Sequence, residues 1–168
     1  KEGLESIGEL VSLVRRNRDE RLMKVIVDAM TTNETFFFRD KTPFDHLEKA
    51  VLPALREKRP GQRIRILCAA CSTGQEPYSI AMMLDQNPAL TGGAPVEITA
   101  VDISDRVLDK ARAGLYSQFE VQRGLPIRTL MTYFTQQGDV WKLSDNIRSK
   151  VQFKNVNLLD PMTTLGKF

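Results

Sequence analysis

Long apolar runs and cysteines are both scarce in this sequence. No apolar stretch among its 168 residues approaches the ~20 residues that a membrane-spanning helix requires. The chain has 2 cysteines, Cys68 and Cys71, which are too few for a secreted disulfide scaffold. These absences argue against membrane insertion and against an oxidising compartment, and we therefore expect a cytoplasmic protein.

Charge of one sign is not in large excess either. The 24 Lys and Arg residues oppose 21 Asp and Glu residues, which gives a net charge of +3 and a pI near 9.0. So mild an excess permits an acidic partner but does not require nucleic acid. Apolar residues make up 42% of the chain and charged residues 27%, so we expect a buried core in either one ordinary domain or a domain with a small appendage.

Helical periodicity dominates the chain before Pro60. Apolar residues recur at helical spacing in two N-terminal segments, and Thr42 and Pro43 then open a third helix as its N-cap and first residue. In the first helix the residues at helical spacing are Leu4, Ile7, Val11 and Val14. The residues predicted to face inward are Leu22, Val25, Ile26 and Ala29 in the second helix and Phe44, Leu47, Val51 and Leu55 in the third.

The pattern then changes to alternating strands and helices. Strands are predicted at Ile64–Cys68 and Val96–Ile103, each followed by a turn and a helix. The first of these helices begins at Pro77, and the second runs from its cap at Ser104 to Gly114. Strand, helix, strand, helix in this order predicts a parallel sheet with right-handed crossovers.

Shorter elements follow this unit. A short helix is predicted at Ile127–Tyr133, and a hairpin at Tyr133–Gln136 and Val140–Leu143 with its turn at Gly138. A further strand is predicted at Val151–Leu158.

Two features of the strand-helix region are typical of a nucleoside site. The loop at 69–77 is rich in small residues that let backbone N–H groups approach a ligand, although such a turn is as often purely structural. Asp102 ends the second strand, where a carboxylate in a doubly wound fold accepts hydrogen bonds from ribose hydroxyls. The alternative is a strand-end aspartate that caps the next helix.

The spacing of these features disfavours a dinucleotide. Asp102 follows Gly74 by 28 residues, more than the roughly 20 of dinucleotide sites, and G-x-G-x-x-G is absent. A nucleoside without phosphate, of which adenosylmethionine is the common example, fits better.

A third feature is the run Thr32-Asn33-Glu34-Thr35-Phe36-Phe37-Phe38-Arg39. Three consecutive phenylalanines between polar residues suit neither an exposed helix nor a regular strand. The run is either part of a ligand site or an interdomain plug in which Arg39 merely pairs with a carboxylate.

Four segments together resemble the bacterial chemotaxis-receptor glutamate O-methyltransferases, the CheR family. They are T-N-E-T-F-F-F-R at 32–39, A-A-C-S-T-G-Q-E-P-Y-S-I-A at 69–81, V-D-I-S-D-R-V-L-D-K-A-R-A-G-L-Y at 101–116 and V-N-L-L-D at 156–160. The segments occur in the family's order, and the glycine loop with its Glu-Pro-Tyr-Ser is specific to that family among methyltransferases.

The resemblance implies an α/β, Rossmann-like sheet that binds S-adenosylmethionine and methylates receptor glutamates, releasing S-adenosylhomocysteine. No metal is expected. The residues that the resemblance implies for cofactor binding are Asn33, Thr35, Arg39, Gly74, Glu76, Asp102, Asn157 and Leu158. Arg39 would lie near the reacting centre, and Tyr78 is a second catalytic candidate as a hydrogen-bond donor.

The resemblance also implies the domain organisation. Residues 1–41 would be a helical, receptor-facing part with a linker, and residues 42–168 a partial methyltransferase domain with an inserted β-subdomain at about 117–150. The family's sheet continues past Phe168 with a strand whose Arg-Asn pair helps to bind the cofactor. A cofactor-binding fragment or regulatory module without turnover is therefore the alternative function.

The expected partners are methyl-accepting chemotaxis receptors. Arg15, Arg16, Arg18, Arg21 and Lys24 would meet an acidic methylation region, or they form only a solvated face. A nucleic-acid partner is not expected, because no Asn/Asp-Pro-Pro-aromatic tetrad is present. Relatives that capture a receptor C-terminal peptide have a longer, glycine-rich hairpin loop, so such capture is not expected here.

The two cysteines form a C-x-x-C pattern that does not fit redox or zinc chemistry. A redox pair would place the first cysteine at a helix N-terminus, whereas Cys68 lies in a predicted strand. A zinc site would need four ligands, and the only histidine is His46. Both cysteines are predicted to pack in the core.

Overall fold

The computed structural model describes residues 6–17 and 19–168. The chain divides into two units, residues 1–32 and residues 33–168. The second unit begins at Asn33, so the polar and aromatic run from Asn33 to Arg39 belongs to the unit that contains the sheet. Among the helices of the described residues, none has both the length and the apolar composition needed to cross a bilayer.

The first unit contains two helices, α1 (Ile7–Asn17) and α2 (Glu20–Met30). Asp19 caps α2, because its carboxylate accepts hydrogen bonds from the N–H groups of Arg21 at 2.9 Å and Leu22 at 3.2 Å. Both helices confirm the sequence prediction. Leu4 and Arg18 lie outside the described residues.

The inward face of α2 was predicted only in part. In α2, Leu22 is buried and Ile26 half-buried, whereas Val25 and Ala29, also predicted inward, are exposed. A short amphipathic helix buries only the stripe that meets a neighbour, so its spacing does not reveal which members of a wide apolar face are covered.

The second unit alternates helices and strands. In chain order its elements are α3 (Thr42–His46), α4 (Leu52–Lys58), β1 (Ile64–Ala69), α5 (Gln75–Gln86), β2 (Val96–Asp102), α6 (Asp105–Ala113), β3 (Leu115–Ser117), α7 (Gln118–Gln122), α8 (Ile127–Tyr133), β4 (Phe134–Gln137), β5 (Val140–Leu143), α9 (Asp145–Arg148) and β6 (Val151–Asn155). Short 3₁₀ turns occur at Pro88–Thr91 and Met162–Leu165.

The third predicted helix is interrupted by a π-helical turn, Leu47–Val51, that connects α3 and α4. The Leu52 N–H donates to the Leu47 carbonyl across this turn. The turn precedes Pro53, which has no N–H to continue a regular helix. The extra residue shifts the inward face, so Leu52 is fully buried while Val51, predicted inward, is only half-buried.

Several element boundaries differ from the sequence prediction. Lys41 rather than Thr42 is the N-cap of α3, and α5 begins at Gln75 rather than Pro77. Strand β6 ends at Asn155 and not at Leu158, because its pairing with β2 ends at Asp102 and Asn155.

The three long strands form a parallel sheet in the order β1-β2-β6. Helices α5 and α6 follow β1 and β2 in the chain, as the sequence predicted. Ser104 caps α6 with its hydroxyl, and Gly114 ends it in a left-handed conformation. The α/β, Rossmann-like class with a partial sheet is therefore confirmed.

A small antiparallel sheet, in the order β3-β5-β4, is inserted between α6 and β6. Its hairpin turns at Gly138, as predicted, with a φ of 60° that favours glycine. We call the segment from β3 to α9 the inserted subdomain.

An aromatic cluster connects the inserted subdomain to the start of the unit. The Phe37 ring is fully buried and packs edge-on against Tyr116, at 5.0 Å between ring centroids, and against Phe134, at 5.5 Å. The Tyr116 hydroxyl donates to the Thr73 carbonyl at 2.8 Å. The subdomain therefore contacts both the phenylalanine run and the loop after β1.

Candidate functional site

The carboxyl ends of the three parallel strands meet at one edge of the sheet. Ala69 of β1 pairs with Val101 of β2, and Asp102 pairs with Asn155 of β6. Ligands of open α/β sheets bind outside the carboxyl ends of the strands, so this edge is the candidate site.

Asp102 joins two of the loops at this edge. Its carboxylate is buried and accepts hydrogen bonds from the Ser72 N–H at 2.8 Å and the Ser104 N–H at 3.0 Å. The side chain that caps α6 belongs to Ser104, so helix capping does not account for Asp102. Each carboxylate oxygen has a further lone pair, which leaves acceptor capacity for ligand hydroxyls.

The loop between β1 and α5 is strained, and its backbone is bonded within the protein. Ala70 and Ser72 have φ values of 56° and 49°, which are uncommon for residues other than glycine. The N–H groups of Cys71, Ser72 and Gly74 donate to protein acceptors. These groups are not available to a phosphate, which favours a phosphate-free ligand.

Gly74 and Tyr78 pack α5 against α6. A Cβ on Gly74, whose φ is 91°, would lie 2.9 Å from the Ala111 Cβ, so the close approach requires glycine. Tyr78 is fully buried, and its hydroxyl donates to the Ala111 carbonyl at 2.8 Å. That bond uses its only proton, and burial raises the pKa of Tyr78. Tyr78 therefore has a packing role in this structure, and its catalytic role stays a prediction.

Glu76 and the two cysteines lie around the start of α5. Glu76 is exposed in the first turn of the helix, whereas Cys68 and Cys71 are free and buried. Burial raises the pKa of Cys68, with the Glu76 carboxylate adding to it, and burial with Asp102 raises the pKa of Cys71 to about 12. Both remain thiols near neutral pH, which disfavours nucleophilic or metal chemistry.

No metal site is evident at this edge. In the ranges 6–17 and 19–168, no group of three or more His, Cys, Asp or Glu side chains could hold a metal ion.

Two serines hold the polar and aromatic segment Asn33–Arg39 against the sheet domain. The Ser72 hydroxyl donates to the Asn33 carbonyl at 3.0 Å. The fully buried Ser79 accepts a hydrogen bond from the Phe38 N–H at 3.0 Å and donates to a carbonyl one turn earlier in α5. The segment is thereby brought beside the loop that contacts Asp102.

Arg39 lies between two strained residues, Phe38 and Asp40, which both have a φ of 52°. Arg39 Nη1 donates to the Glu34 carbonyl at 2.9 Å, and its Nε lies 3.7 Å from the Asp40 carboxylate. Arg39 therefore does lie near a carboxylate, as the purely structural alternative predicted. The Asp40 side chain is 78% exposed, so this contact is weak and leaves the guanidinium accessible.

The turn after β6 approaches Asp102 from the other neighbouring strand. The Val156 N–H donates to the Asp102 carbonyl at 3.0 Å. Asn157 is half-buried, with its side-chain oxygen accepting from the Leu159 N–H, and Leu158 is 40% exposed. Both predicted adenine-flanking residues therefore follow β6 at the candidate edge, and Thr35 is half-buried in the segment Asn33–Arg39.

The structure adds four residues that sequence analysis did not single out, namely Ser72, Ser79, Tyr116 and Arg123. Both serines lie within the glycine-loop motif, Ser72 in the loop and Ser79 in α5, where a hydroxyl among mostly apolar helix residues was the available signal. Tyr116 and Arg123 belong to the inserted subdomain, and no local pattern relates them to the segment that they contact.

The chemistry of these side chains fits an amino-acid nucleoside better than a nucleotide. Asp102 offers acceptors to a ribose diol, and Asn157 offers an amide at the edge of a base. Glu76 and Arg39 are exposed groups of opposite charge, which suit a ligand that carries both an ammonium and a carboxylate group. S-adenosylmethionine combines these features.

Comparison with known proteins agrees with this fit. Residues 33–168 match the family described as "CheR methyltransferase, SAM binding domain". The chain is 45% identical to chemotaxis protein methyltransferase 1 of Pseudomonas aeruginosa and 42% identical to chemotaxis protein methyltransferase Cher2 of Pseudomonas putida, over 99% of this chain and 62% of each relative. It is 43% identical to a chemotaxis protein methyltransferase of Vibrio parahaemolyticus, over 98% of this chain and 60% of the relative. The chain thus spans less than two thirds of the length of these relatives.

Proposed function

Because this chain belongs to the CheR methyltransferase family, we propose that the protein methylates glutamate carboxylates of methyl-accepting chemotaxis receptors in the cytoplasm, using S-adenosylmethionine. The products are glutamate methyl esters and S-adenosylhomocysteine. The observation that carries the proposal is the position of Ser72, whose N–H bonds to Asp102 and whose hydroxyl bonds to the Asn33 carbonyl. One residue thereby connects the ribose-binding carboxylate to the segment that carries Arg39.

The proposed cofactor pocket is formed by residues from four parts of the second unit: the segment Asn33–Arg39, the loop after β1 with the start of α5, the end of β2, and the turn after β6. Asp102 accepts hydrogen bonds from the ribose hydroxyls, and Glu76 contacts the amino-acid end of the ligand. The other residues of the pocket are Asn33, Thr35 and Arg39 from the first segment, Gly74 from the loop after β1, and Asn157 and Leu158 around the adenine.

The chemical step requires little proton transfer from the protein. The bound cofactor supplies a methyl group made electrophilic by its sulfonium. A glutamate carboxylate has a pKa near ~4.3 and is already ionised at neutral pH, so no general base is needed. The protein must instead align the carboxylate and exclude water from it, and Arg39 is the residue proposed to orient that anion.

We assign receptor contact to the helical part, residues 1–41, and methyl transfer to residues 42–168 together with the segment that carries Arg39. Arg15 and Arg16 are exposed in the last turn of α1, and Arg21 and Lys24 are exposed on α2. Arg18, the fifth residue of the predicted basic stretch, lies outside the described residues. An acidic methylation region would be attracted to this basic surface.

The test is methyl transfer by the full-length protein that contains this chain. Labelled methyl groups from S-adenosylmethionine should appear as base-labile esters on receptor membranes and not on RNA or DNA. Binding of S-adenosylhomocysteine without transfer to receptors would favour the alternative, a regulatory module without turnover. Transfer to nucleic acid would reject the proposed substrate class.

A further inference from the structure

Arg39 and Arg123 contact the same two residues. Their guanidinium carbons lie 5.7 and 4.4 Å, respectively, from the centroid of the Phe36 ring. Arg39 Nη1 donates to the Glu34 carbonyl at 2.9 Å, and Arg123 Nη2 donates to the Glu34 carboxylate at 2.8 Å. The two cations therefore share one aromatic ring and one residue of the segment.

Arg123 reaches this segment from the inserted subdomain. It is the C-cap of α7 and lies 89 residues after Glu34 in the chain. Its neighbour Gly124 approaches the segment so closely that a Cβ there would lie 1.9 Å from the Phe37 carbonyl oxygen. The Gly124 backbone and the Arg123 side chain therefore both contact the segment Asn33–Arg39.

The orientation of Arg39 depends on Glu34 and Phe36. The only carboxylate paired with Arg39 among the described residues is that of Asp40, and this contact is weak because the Asp40 side chain is 78% exposed. The Glu34 carbonyl and the Phe36 ring are therefore the groups that define the direction of the guanidinium. Arg123 restrains both, because a planar guanidinium bonds a carboxylate and stacks on a ring at the same time.

We propose that Arg123 is a positioning residue for Arg39: by holding Glu34 and Phe36, it directs the Arg39 guanidinium toward the reacting carboxylate. This inference rests on the proposed methyl-transfer function and deepens it. It gives the inserted subdomain a part in the geometry of the reaction. Removal of an ordinary surface ion pair would leave the methylation rate unchanged, whereas removal of Arg123 is expected to lower it.

The kinetic test compares Arg123→Ala and Arg123→Lys with Arg128→Ala in the full-length protein. Arg128 is an exposed arginine of α8 for which the described part of the chain shows no side-chain ion pair or ring contact. Arg123→Ala is expected to lower kcat by roughly ten- to a hundredfold, because displacing a reacting group slows the chemical step. Arg123→Lys keeps the charge but not the planar stacking and should be intermediate, and Arg128→Ala should match the wild type.

Coupling to Arg39 distinguishes positioning from a general structural effect. In an Arg39→Ala background, Arg123→Ala is expected to cause little further loss of kcat, because its effect passes through Arg39. The Tm should change little, since the Arg123 and Glu34 side chains are 41% and 59% exposed and an ion pair so open to water contributes little stability. A wild-type kcat for Arg123→Ala, an undiminished loss in the Arg39→Ala background, or a loss of Tm that parallels the loss of rate would each overturn the proposal.

A spectroscopic readout makes the test independent of turnover. The Nε–H resonance of Arg39, assigned by its disappearance in Arg39→Lys, should shift or broaden in Arg123→Ala and stay in place in Arg128→Ala. The reason is that the Phe36 ring current acts on a guanidinium whose position has changed. An unchanged Arg39 resonance in Arg123→Ala overturns the inference, whereas absence of methyl transfer by the wild type overturns the proposed function alone.

Discussion

The Ser72 N–H donates to the Asp102 carboxylate at 2.8 Å, although 30 residues separate them in the chain. The same carboxylate accepts from the Ser104 N–H at 3.0 Å. Asp102 therefore connects the loop after β1 to the loop after β2, in addition to offering acceptors to a ligand. Because Asp102 is also the proposed ribose acceptor, its substitution is expected to change both ligand affinity and local order.

Asp102→Ala is expected to weaken the binding of S-adenosylhomocysteine by about 1–3 kcal/mol, because polar groups of the ligand lose their acceptor. It should also lower the free energy of unfolding, because the buried N–H groups of Ser72 and Ser104 lose theirs. Calorimetry and urea denaturation of the full-length protein measure the two effects. The control is Asp109→Ala, which removes a 75% exposed side chain of α6. Unchanged affinity in Asp102→Ala would reject the ribose assignment.

Gly124→Ala is expected to displace the segment that carries Arg39. A Cβ at Gly124, whose φ is 89°, would lie 1.9 Å from the Phe37 carbonyl oxygen. Gly93 has a φ of 82°, and a Cβ added there would have no neighbour within 4 Å, so Gly93→Ala carries similar backbone strain without the clash. Gly124→Ala should therefore cost about 1–3 kcal/mol more in urea denaturation, the usual range for overpacking. Equal losses in the two variants would contradict the close approach.

Asp85 should make folding stability depend on pH in the acid range. Its carboxylate accepts hydrogen bonds from Lys150 at 2.5 Å and from the Tyr133 hydroxyl at 2.9 Å. The Lys150 bond, with that of Tyr133, lowers the pKa of Asp85. Because the pKa is lower in the folded state, the stabilisation is complete above the unfolded-state pKa of about 3.9 and is lost as the pH falls through the folded-state pKa.

Asp85→Asn removes that titration. The wild type should lose stability more steeply than Asp85→Asn as the pH falls below about 4, as measured by urea denaturation at a series of pH values. Asp139→Asn, in the exposed hairpin turn, is the control and should follow the wild type. Parallel curves for the wild type and Asp85→Asn would show that the ion pair contributes no differential stability.

Reversing two charges on α2 should weaken association with the receptor. Arg21→Glu with Lys24→Glu is expected to raise the KM for receptor membranes and to flatten its salt dependence, because attraction to an acidic region is lost. Acidic residues near the start of a helix are compatible with its dipole, so α2 should stay folded. Arg106→Glu with Arg128→Glu is a control on the second unit. A wild-type KM that is insensitive to salt would count against the contact.

The short hairpin predicts that a receptor C-terminal peptide is not captured. Only Gly138 and Asp139 separate β4 from β5, which leaves no extended loop to enclose an added strand. The chain has a single tryptophan, Trp141 of β5, so its fluorescence reports directly on this sheet. We expect no saturable change in a peptide titration and the same trace with a scrambled peptide. A Trp141 fluorescence change that saturates at micromolar peptide concentration would contradict the prediction that the peptide is not captured.

Local sequence signals determined the order of the elements and the ends of several of them. Helix α6 begins after Ser104 and ends at Gly114, as predicted, because a hydroxyl cap and a left-handed glycine act within one helical turn. The apolar runs predicted β1 and β2, and the position of Asp102 at the end of β2 followed from them. Parallel pairing then brings the strand ends together, so much of the candidate site was predictable.

Tertiary contacts decided the roles of individual side chains. Tyr78 follows Gly74 by four residues, but its hydroxyl donates to the Ala111 carbonyl, 33 residues away. Ser79 bonds to Phe38 across 41 residues, and Arg123 reaches Glu34 across 89. Hydrophobic period and helix caps depend on neighbours along the chain, so the sequence determines them directly. The partner of a hydroxyl or guanidinium depends on which distant segments pack together, and only the folded structure establishes that.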